Sequence, residues 1–457
     1  MLTQVHVISM VFTLAIVTVV GVYSIRQVKT SADFAVGGRS MGVSLVAGTI
    51  MGTVVGGAST IGTAQLAFKV GFSAWWFTLG AGIACLLLGV LAKPLRESGA
   101  STAPQFLVKA YGERAGPVAS VFSSLGIFLN IIGQILSAVA LLTSMFQVPP
   151  LLAAFIAVVL VISYVIFGGV WGTGMVGVVK LILLYISLAV AGILSYQMIG
   201  GLPGLTATFP AFPWFSLFGR GFNTDAAAGF SLVVGVLSTQ TYLQAMFSGR
   251  DVRTSRRGAL VSALLIPPIG LASIMVGLYM RSHFPEIDPR EALPLFILQF
   301  LNPWVGGMVL ATLLLSVVGT GAGLTLGIST MLSQDIYKKI INPKATDSGV
   351  LAVTRVIIIV VTLATLVFVG GNLNSLILKW SFLSMGLRGA TICFPLLAAI
   401  FLRNKIAAWA GRWAIIAGPS AVLLWTLLGG ALDPLYVGMA CSLLLLVIGY
   451  FSRKAFS

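Results

Sequence analysis

The sequence predicts an all-α integral membrane protein that consists almost entirely of transmembrane helices. Of its 457 residues, 58% are hydrophobic and only 8% are charged, whereas soluble domains carry about 25% charged residues. So few charges cannot cover a water-soluble surface, and lipid must therefore surround most of the chain. No polar stretch is long enough to form a soluble domain, so we expect one transmembrane domain over residues 1–457.

Apolar stretches long enough to cross a bilayer recur along the whole chain. A transmembrane helix needs roughly 20 apolar residues, and about thirteen stretches meet this requirement. They lie at about 6–25, 42–66, 74–92, 117–145, 148–171, 174–199, 226–247, 258–280, 303–333, 350–370, 374–402, 408–429 and 434–452. The first stretch lacks the positive start and the cleavage site of a signal peptide, so we expect it to be retained.

The basic residues predict how the chain is oriented in a cell membrane. Most of the 27 Lys and Arg lie in alternate gaps between apolar stretches, as in the cluster Arg250, Arg253, Arg256 and Arg257. Because short cytoplasmic loops are enriched in Lys and Arg, the N-terminus is expected outside the cell and the C-terminus in the cytoplasm. The same clustering argues against nucleic acid as a partner despite the net charge of +16. The lipid bilayer and a small solute are the expected partners, and no obligatory protein partner is evident.

Three of the predicted spans contain stretches that form poor helices. In span two, Gly48, Gly52 and Gly56 make a ridge that would also suit tight helix packing, but residues 56–62 are a weak helix interior. Span nine has the glycine-rich stretch 316–323, and span seven has the polar stretch 238–244. Unwound backbone within a membrane is tolerated where it is buried or lines a cavity, and its free carbonyl groups can bind a cation.

The order of the spans suggests an internal repeat. Spans two and seven open successive groups of five, at about 42–199 and about 226–402. A five-plus-five inverted repeat with broken helices would have this layout, and spans one, twelve and thirteen would then be peripheral.

Several short motifs resemble those of the sodium/solute symporter family. They are Asp33-Phe34-Ala35-Val36-Gly37-Gly38-Arg39-Ser40, the run from Gly62 to Ser73, Ser101-Thr102-Ala103-Pro104-Gln105-Phe106 followed by Tyr111-Gly112, and Ser333-Gln334-Asp335-Ile336-Tyr337. Their order and spacing carry the resemblance from about Ser31 to Arg412. It implies the inverted-repeat fold of the leucine transporter and sodium-coupled symport of a small organic solute by alternating access, without an organic cofactor.

The resemblance also implies a sodium site between spans two and nine. Gly52 and Val55 would supply backbone carbonyl groups, Ser316 a third carbonyl, and Thr320 a hydroxyl group. Gly319 belongs to the same site but stands where the family usually has a second hydroxyl residue. The family's Trp-Thr-Asp stretch in span six aligns with Met175-Val176-Gly177, so a carboxylate near the site is missing here.

Lys180 is the candidate coupling residue, and it aligns with a family glutamine about one turn beyond Gly177. A charge within a span is a functional hypothesis by default. Its ammonium group could stand in place of sodium, and a desolvated lysine loses its proton more readily. Alternatively, its aliphatic stem could simply carry the charge to the cytoplasmic face.

The solute is expected near the bilayer midplane, between the breaks in spans two and seven. Polar side chains from the two breaks and one intramembrane arginine are the candidate solute ligands: Ser59, Thr60, Thr239, Gln240, Tyr242, Gln244 and Arg388. No acidic residue lies centrally in a span, so Arg388 could hold a carboxylate of the solute. It could equally cap carbonyl groups of a broken helix.

The sequence thus favours a secondary transporter over an enzyme. Paired carboxylates, His–Glu metal motifs, nucleotide-binding loops and nucleophile elbows do not occur in it. The first alternative is a proton-coupled or uncoupled solute transporter in which Lys180 replaces the sodium ion. A channel-like facilitator or a membrane sensor on the same scaffold is the second.

Overall fold

The computed structural model describes residues 2–26, 30–166, 169–373, 375–403, 405–430 and 432–455 as a helical bundle. The first eleven helices are α1 (Gln4–Ile25), α2 (Ser31–Val36), α3 (Val43–Val54), α4 (Thr63–Val70), α5 (Trp76–Val90), α6 (Ala92–Glu97), α7 (Ala103–Tyr111), α8 (Ala115–Phe146), α9 (Pro150–Val165), α10 (Gly169–Met198) and α11 (Gly201–Thr208). The other eleven are α12 (Ala211–Trp214), α13 (Phe222–Ser238), α14 (Gln240–Ser248), α15 (Val252–His283), α16 (Ala292–Phe300), α17 (Pro303–Met331), α18 (Asp347–Gly370), α19 (Ile377–Arg388), α20 (Phe394–Phe401), α21 (Ala408–Leu428) and α22 (Pro434–Ala455).

The all-α fold is as expected, but the count of thirteen spans is not confirmed. Among the described residues, ten helices are long and apolar enough to cross a membrane, and α13 with α14 makes an eleventh when the two halves are joined. Every predicted stretch contains helix. However, α3 has only 12 residues and α9 only 16. At 1.5 Å per residue, a helix as short as α3 covers about 18 Å, well short of a hydrocarbon core about 30 Å thick.

Span two is broken where the sequence predicts it. α3 ends at Val54, and a widened helical turn, Ala58–Gly62, leads into α4. At Gly56 a Cβ atom would lie 2.3 Å from the Thr320 hydroxyl oxygen, so only glycine lets the unwound backbone approach α17 this closely.

Span seven is broken as well. Its halves α13 and α14 meet at Thr239, whose backbone is extended, and they are bent by 46°. Span eleven loosens instead of breaking, since α19 passes into α20 through the widened turn Gly389–Cys393.

The broken span two lies against α17, which belongs to the most deeply buried span among the described residues. α3 packs against α10 and α17, and α8 packs against α17 and α19. α21 and α22 pack mainly on each other and expose large apolar side chains such as Leu427 and Leu444. Polar groups freed at the breaks are therefore enclosed by protein in the middle of the bundle.

Candidate ion and solute site

The break in α3 frees carbonyl oxygens that turn towards α17. The Gly56 N–H group donates to the Ser59 hydroxyl oxygen at 2.9 Å. The Val55 carbonyl oxygen accepts from the Ser316 hydroxyl group at 2.9 Å and from the Thr320 hydroxyl group at 3.2 Å. Residues 52–56 and one face of α17 thus form a cluster of oxygen atoms, as the resemblance implies for a cation site.

The side chain of Lys180 reaches into this cluster. Its ammonium nitrogen lies 2.6 Å from the Gly52 carbonyl oxygen, 3.1 Å from the Ser316 carbonyl oxygen and 3.4 Å from the Thr320 hydroxyl oxygen. Three N–H donors thus meet three of the oxygens assigned to sodium by the resemblance. Lys180 is fully buried and does not extend to the membrane face.

Two glycines lie near this lysine, and only one of them is required by the packing. At Gly177 a Cβ atom would lie 2.3 Å from the Gly48 carbonyl oxygen, so even alanine would push α10 away from α3. At Gly319 a Cβ atom would lie 3.6 Å from the Lys180 ammonium nitrogen and 3.4 Å from the Tyr164 hydroxyl oxygen. Gly177, at the position of the carboxylate implied by the resemblance, thus lets α10 come close enough to α3 for Lys180 to reach the site, whereas a small side chain would also fit at Gly319.

Sodium does not fit the oxygen cluster while Lys180 is in it. The cluster offers hard oxygen ligands of the kind that suit sodium. However, an ammonium group within hydrogen-bond distance of the same oxygens occupies the space and repels a second cation. At an effective dielectric constant of about 20, two unit charges 4 Å apart repel by about 4 kcal/mol. A sodium ion could bind here only after Lys180 withdrew.

The predicted solute ligands divide into two groups. Ser59 and Thr60 bond to the Gly56 carbonyl oxygen, and Thr239 accepts from Arg388, so these three stay at the breaks. The Gln240 and Gln244 amides instead bind backbone. Gln240 bonds to the Ala103 N–H group at 2.8 Å and the Ser101 carbonyl oxygen at 3.2 Å, and Gln244 donates to the Ala35 carbonyl oxygen.

Tyr242, in the same half-helix as the two glutamines, is buried among apolar side chains. In this conformation, Gln240 and Gln244 hold α14 in place. The prediction that they contact solute therefore has no support from their present contacts.

Arg388 ends α19 and is fully buried. Its guanidinium group donates to the Thr239 hydroxyl oxygen at 2.7 Å, the Ser384 carbonyl oxygen at 3.1 Å and the Ser384 hydroxyl oxygen at 2.9 Å. It therefore does cap a carbonyl group, and it also links α19 to the break in span seven. No carboxylate lies within ion-pair distance of it in the part of the chain that the structure describes.

A polar row on α8 was missed at the level of sequence. Gln134 accepts from the Gly57 N–H group at 2.9 Å and donates to Asn130 at 3.5 Å, and Asn130 accepts from Ser381 at 2.9 Å. The row connects the break in α3 to α19. The spacing of Asn130, Gln134 and Ser137 along one helix face was the signal that could have revealed it.

The Sodium:solute symporter family matches residues 34–418. The chain belongs to this family. It is 24% identical to a high-affinity choline transporter of Drosophila melanogaster over an alignment of 379 positions, which covers 78% of this chain and 60% of the fly protein. It is 22% identical to the osmoregulated proline transporter OpuE of Bacillus subtilis, over 90% of this chain and 86% of that protein.

Solved structures of related architecture confirm the transporter fold. A Na⁺-coupled sialic acid symporter in a substrate-bound outward-open state is similar with a TM-score of 0.81 at 18% identity, covering 100% of this chain and 98% of that one. The nucleobase-cation-symport transporter MHP1 is similar with a TM-score of 0.60 at 14% identity, over 93% and 94% of the two chains. This member of the sodium:solute symporter family is therefore a multi-pass membrane transporter with a leucine-transporter-like fold, and it is not an enzyme.

Proposed function

We propose that this protein is a secondary transporter of small organic anions in which Lys180 replaces the family's sodium ion. The observation that carries the proposal is the contact of the Lys180 ammonium group with Gly52, Ser316 and Thr320. A protonated lysine bridges α3, α10 and α17 as a bound cation would. Loss of its proton would remove that bridge, so proton exchange on Lys180 would couple transport to the proton gradient.

The charge balance of the bundle supports an anionic solute. Lys180 and Arg388 are both fully buried, and neither has a carboxylate partner among the described residues. The two buried acids of the described chain lie elsewhere: Asp225 pairs with Arg220 at 2.6 Å, and Asp335 accepts from Thr102. Because an unpaired charge is costly within a membrane, a solute carboxylate held by Arg388 would offset part of that cost.

A second candidate is sodium-coupled symport, as in the family at large. Membership of the family favours it, and so do the four oxygen-bearing residues Gly52, Val55, Ser316 and Thr320, which remain clustered at the break. In this alternative Lys180 would withdraw from the cluster during the transport cycle.

Binding of the solutes named for relatives tests the substrate class. Sialic acid is an anion and proline is a zwitterion that carries a carboxylate, whereas choline is a cation and glucose, the solute of a Vibrio parahaemolyticus cotransporter, is neutral. We expect purified protein to be stabilised thermally by carboxylates and not by glucose or choline. Stabilisation by choline alone would contradict the assignment to anions.

Uptake of the bound carboxylate into proteoliposomes then tests the coupling. We expect equal uptake in sodium and potassium buffers at fixed pH, and faster uptake when the outside is more acidic. Lys180→Gln should remove the response to pH. A sodium requirement in the wild-type protein would favour the second candidate, and uptake that ignores both gradients would contradict coupling through Lys180.

A further inference from the structure

Asp335 is a buried acid that the proposed transport mechanism does not use. It lies in the widened helical segment Leu332–Ile341 that follows α17, and it is 1% exposed. Its carboxylate accepts hydrogen bonds from the Thr102 hydroxyl group at 2.8 Å, the Ser120 hydroxyl group at 3.0 Å and the Gln105 amide at 2.9 Å. All three donors are neutral, and no described basic side chain lies within ion-pair distance of it.

Residues 101–103 connect Asp335 to the break in span seven. The Thr102 side chain binds Asp335, and the backbone on either side of it binds Gln240: the Ala103 N–H group donates to the Gln240 amide oxygen at 2.8 Å, and the Ser101 carbonyl oxygen accepts from the amide nitrogen at 3.2 Å. Gln240 is the first residue of α14, directly after the break at Thr239. One three-residue segment therefore lies between a carboxylate on the α17 side and the first residue of the half-helix α14.

The charge on Asp335 strengthens this connection. Thr102 is the N-cap of α7, and its hydroxyl oxygen also accepts from the Gln105 N–H group at 3.1 Å. Hydrogen bonds to a carboxylate are about twice as strong as neutral ones, and a negative charge is favoured beside a helix N-terminus. Desolvation of a carboxylate costs free energy, and asparagine would fill the same space without that cost. What the carboxylate adds is stronger hydrogen bonds to its donors. The acid is thus suited to hold segment 101–103 firmly.

We propose that segment 101–103 is a latch that keeps α14 closed over the solute path, and that Asp335 is the positioning residue of the latch. Further contacts close the same face: the Met41 N–H group donates to the Ser248 carbonyl oxygen at 3.1 Å, and Arg96 donates to the Gly249 carbonyl oxygen. Opening of this face requires α14 to separate from α7. Weakening the Asp335 end of the latch therefore raises the population of the open state. The inference rests on transport by this chain, but it does not depend on which ion or which solute is carried.

A buried reporter thiol measures opening of α14. Ala245 lies in α14 and is fully buried, so Ala245→Cys reacts with N-ethylmaleimide only when this face opens. The background is Cys441→Ser, because Cys441 is half-buried whereas Cys85 and Cys393 are buried. The protein is held in nanodiscs so that the reagent reaches both faces, and a variant without the reporter gives the background rate.

Asp335→Asn should raise the alkylation rate at the reporter about tenfold. The variant loses hydrogen bonds to a charged group, and a loss of about 1.4 kcal/mol raises the population of the open state tenfold. Asp347 is an exposed acid in the first turn of α18, and Asp347→Asn should change the alkylation rate at Ala245→Cys by less than about twofold. A second reporter, Ala228→Cys in α13, should likewise be alkylated at nearly the same rate with and without Asp335→Asn. If Asp335→Asn does not fold, Thr102→Val and Thr102→Ser decide: the first should open α14 and the second should not. An unchanged rate in a folded Asp335→Asn or Thr102→Val protein would overturn the proposal.

A double-mutant cycle tests whether the latch acts through segment 101–103. Asp335 and Gln240 share this segment as their link, so their effects should be strongly non-additive. Once Asp335→Asn has loosened the segment, Gln240→Leu should change the alkylation rate by less than half of its effect in the parent protein. Additive effects would show that the two residues act separately, and the latch would be refuted.

Discussion

At the scale of single residues, the proposed function depends on Lys180 standing where a metal ion would bind. Lys180 supplies three N–H donors to three oxygens that belong to α3 and α17. An ammonium group that stays attached to α10 cannot leave with the solute as a free ion can. In the proposed mechanism only its proton can be exchanged, and the nature of the coupling therefore depends on this one position.

A double substitution should convert this site to a sodium site. In Lys180→Gln with Gly319→Ser, the ammonium group is gone and a hydroxyl group is added; the space at Gly319 accepts a Cβ atom, with its nearest contact at 3.4 Å. We expect sodium, but not potassium, to stabilise this variant thermally, and to leave the wild-type protein unchanged. Lys379→Gln serves as the control, since Lys379 lies near the start of α19 and lines a separate cavity.

An increase in the Tm of the wild-type protein on addition of sodium would contradict this expectation directly. If sodium does not raise the Tm of a folded double variant, the remaining oxygens do not converge well enough to bind sodium.

Arg388 should determine affinity for a carboxylate. Arg388→Gln removes the charge and should weaken binding by roughly 10- to 100-fold, because hydrogen bonds to charged groups contribute about 1.5–3 kcal/mol. Arg388→Lys keeps the charge but cannot donate two parallel hydrogen bonds, so its affinity should lie between that of the wild-type protein and that of Arg388→Gln. Titration calorimetry with the bound carboxylate measures both, and Arg257→Gln, an exposed arginine in α15, is the matched control. Unchanged affinity in Arg388→Gln would remove this residue from the site.

At the scale of helices, the close approach of α10 to α3 sets the position of Lys180. Gly174 and Gly177 on α10 face Gly48 and Gly52 on α3, and a Cβ atom at Gly48 would lie 2.6 Å from the Gly174 carbonyl oxygen. Small residues let two helix backbones come this near within a membrane. A lysine side chain on α10 can then reach across α3 to α17.

Gly177→Ala should separate these two helices. Its methyl group would meet the Gly48 carbonyl oxygen at 2.3 Å, and overpacking of this kind costs about 1–3 kcal/mol. We expect this variant to have a lower Tm. We also expect its uptake to depend less on pH, because Lys180 is carried by the displaced helix. Gly21→Ala in α1 is the matched control: its nearest contact is at 3.8 Å, so the change should be neutral or slightly stabilising. Equal Tm values for the two variants would show that the approach of α10 to α3 is not tight.

At the scale of the whole molecule, the basic residues predict that the face carrying residues 250–257 is cytoplasmic. In cells with a Cys441→Ser background, an impermeant maleimide should label Glu286→Cys and not Arg257→Cys, since both positions are exposed, Arg257 near the start of α15 and Glu286 just after its end. Cell lysis should make the second thiol reactive. Labelling of Arg257→Cys in intact cells would show that the orientation is the reverse of the predicted one.

The sequence by itself determined the class of the protein and the breaks in spans two and seven, whereas the glycine-rich stretch 316–323, expected to be a poor helix, lies in the unbroken helix α17. Scarcity of charge required a membrane, and the glycines at 56, 57 and 62 together with the polar run after Ser238 marked segments that no lipid-facing helix would contain. Such properties depend on composition and local backbone preference, which are readable without a fold. The number of spans was less certain, because hydropathy does not distinguish a short helix such as α9 from a full span.

Only the tertiary structure decided which polar groups meet. The sequence left open whether Lys180 enters the cation site or reaches for the membrane face, and the answer depends on how closely α10 approaches α3. Its prediction that Gln240 and Gln244 bind solute stays a prediction, and only the structure shows that both amides bind backbone from distant segments. It also placed Asp335 near the end of a span without indicating its burial. Contacts between residues more than a hundred positions apart are set by the packing of whole helices, and one sequence carries no local signal for them.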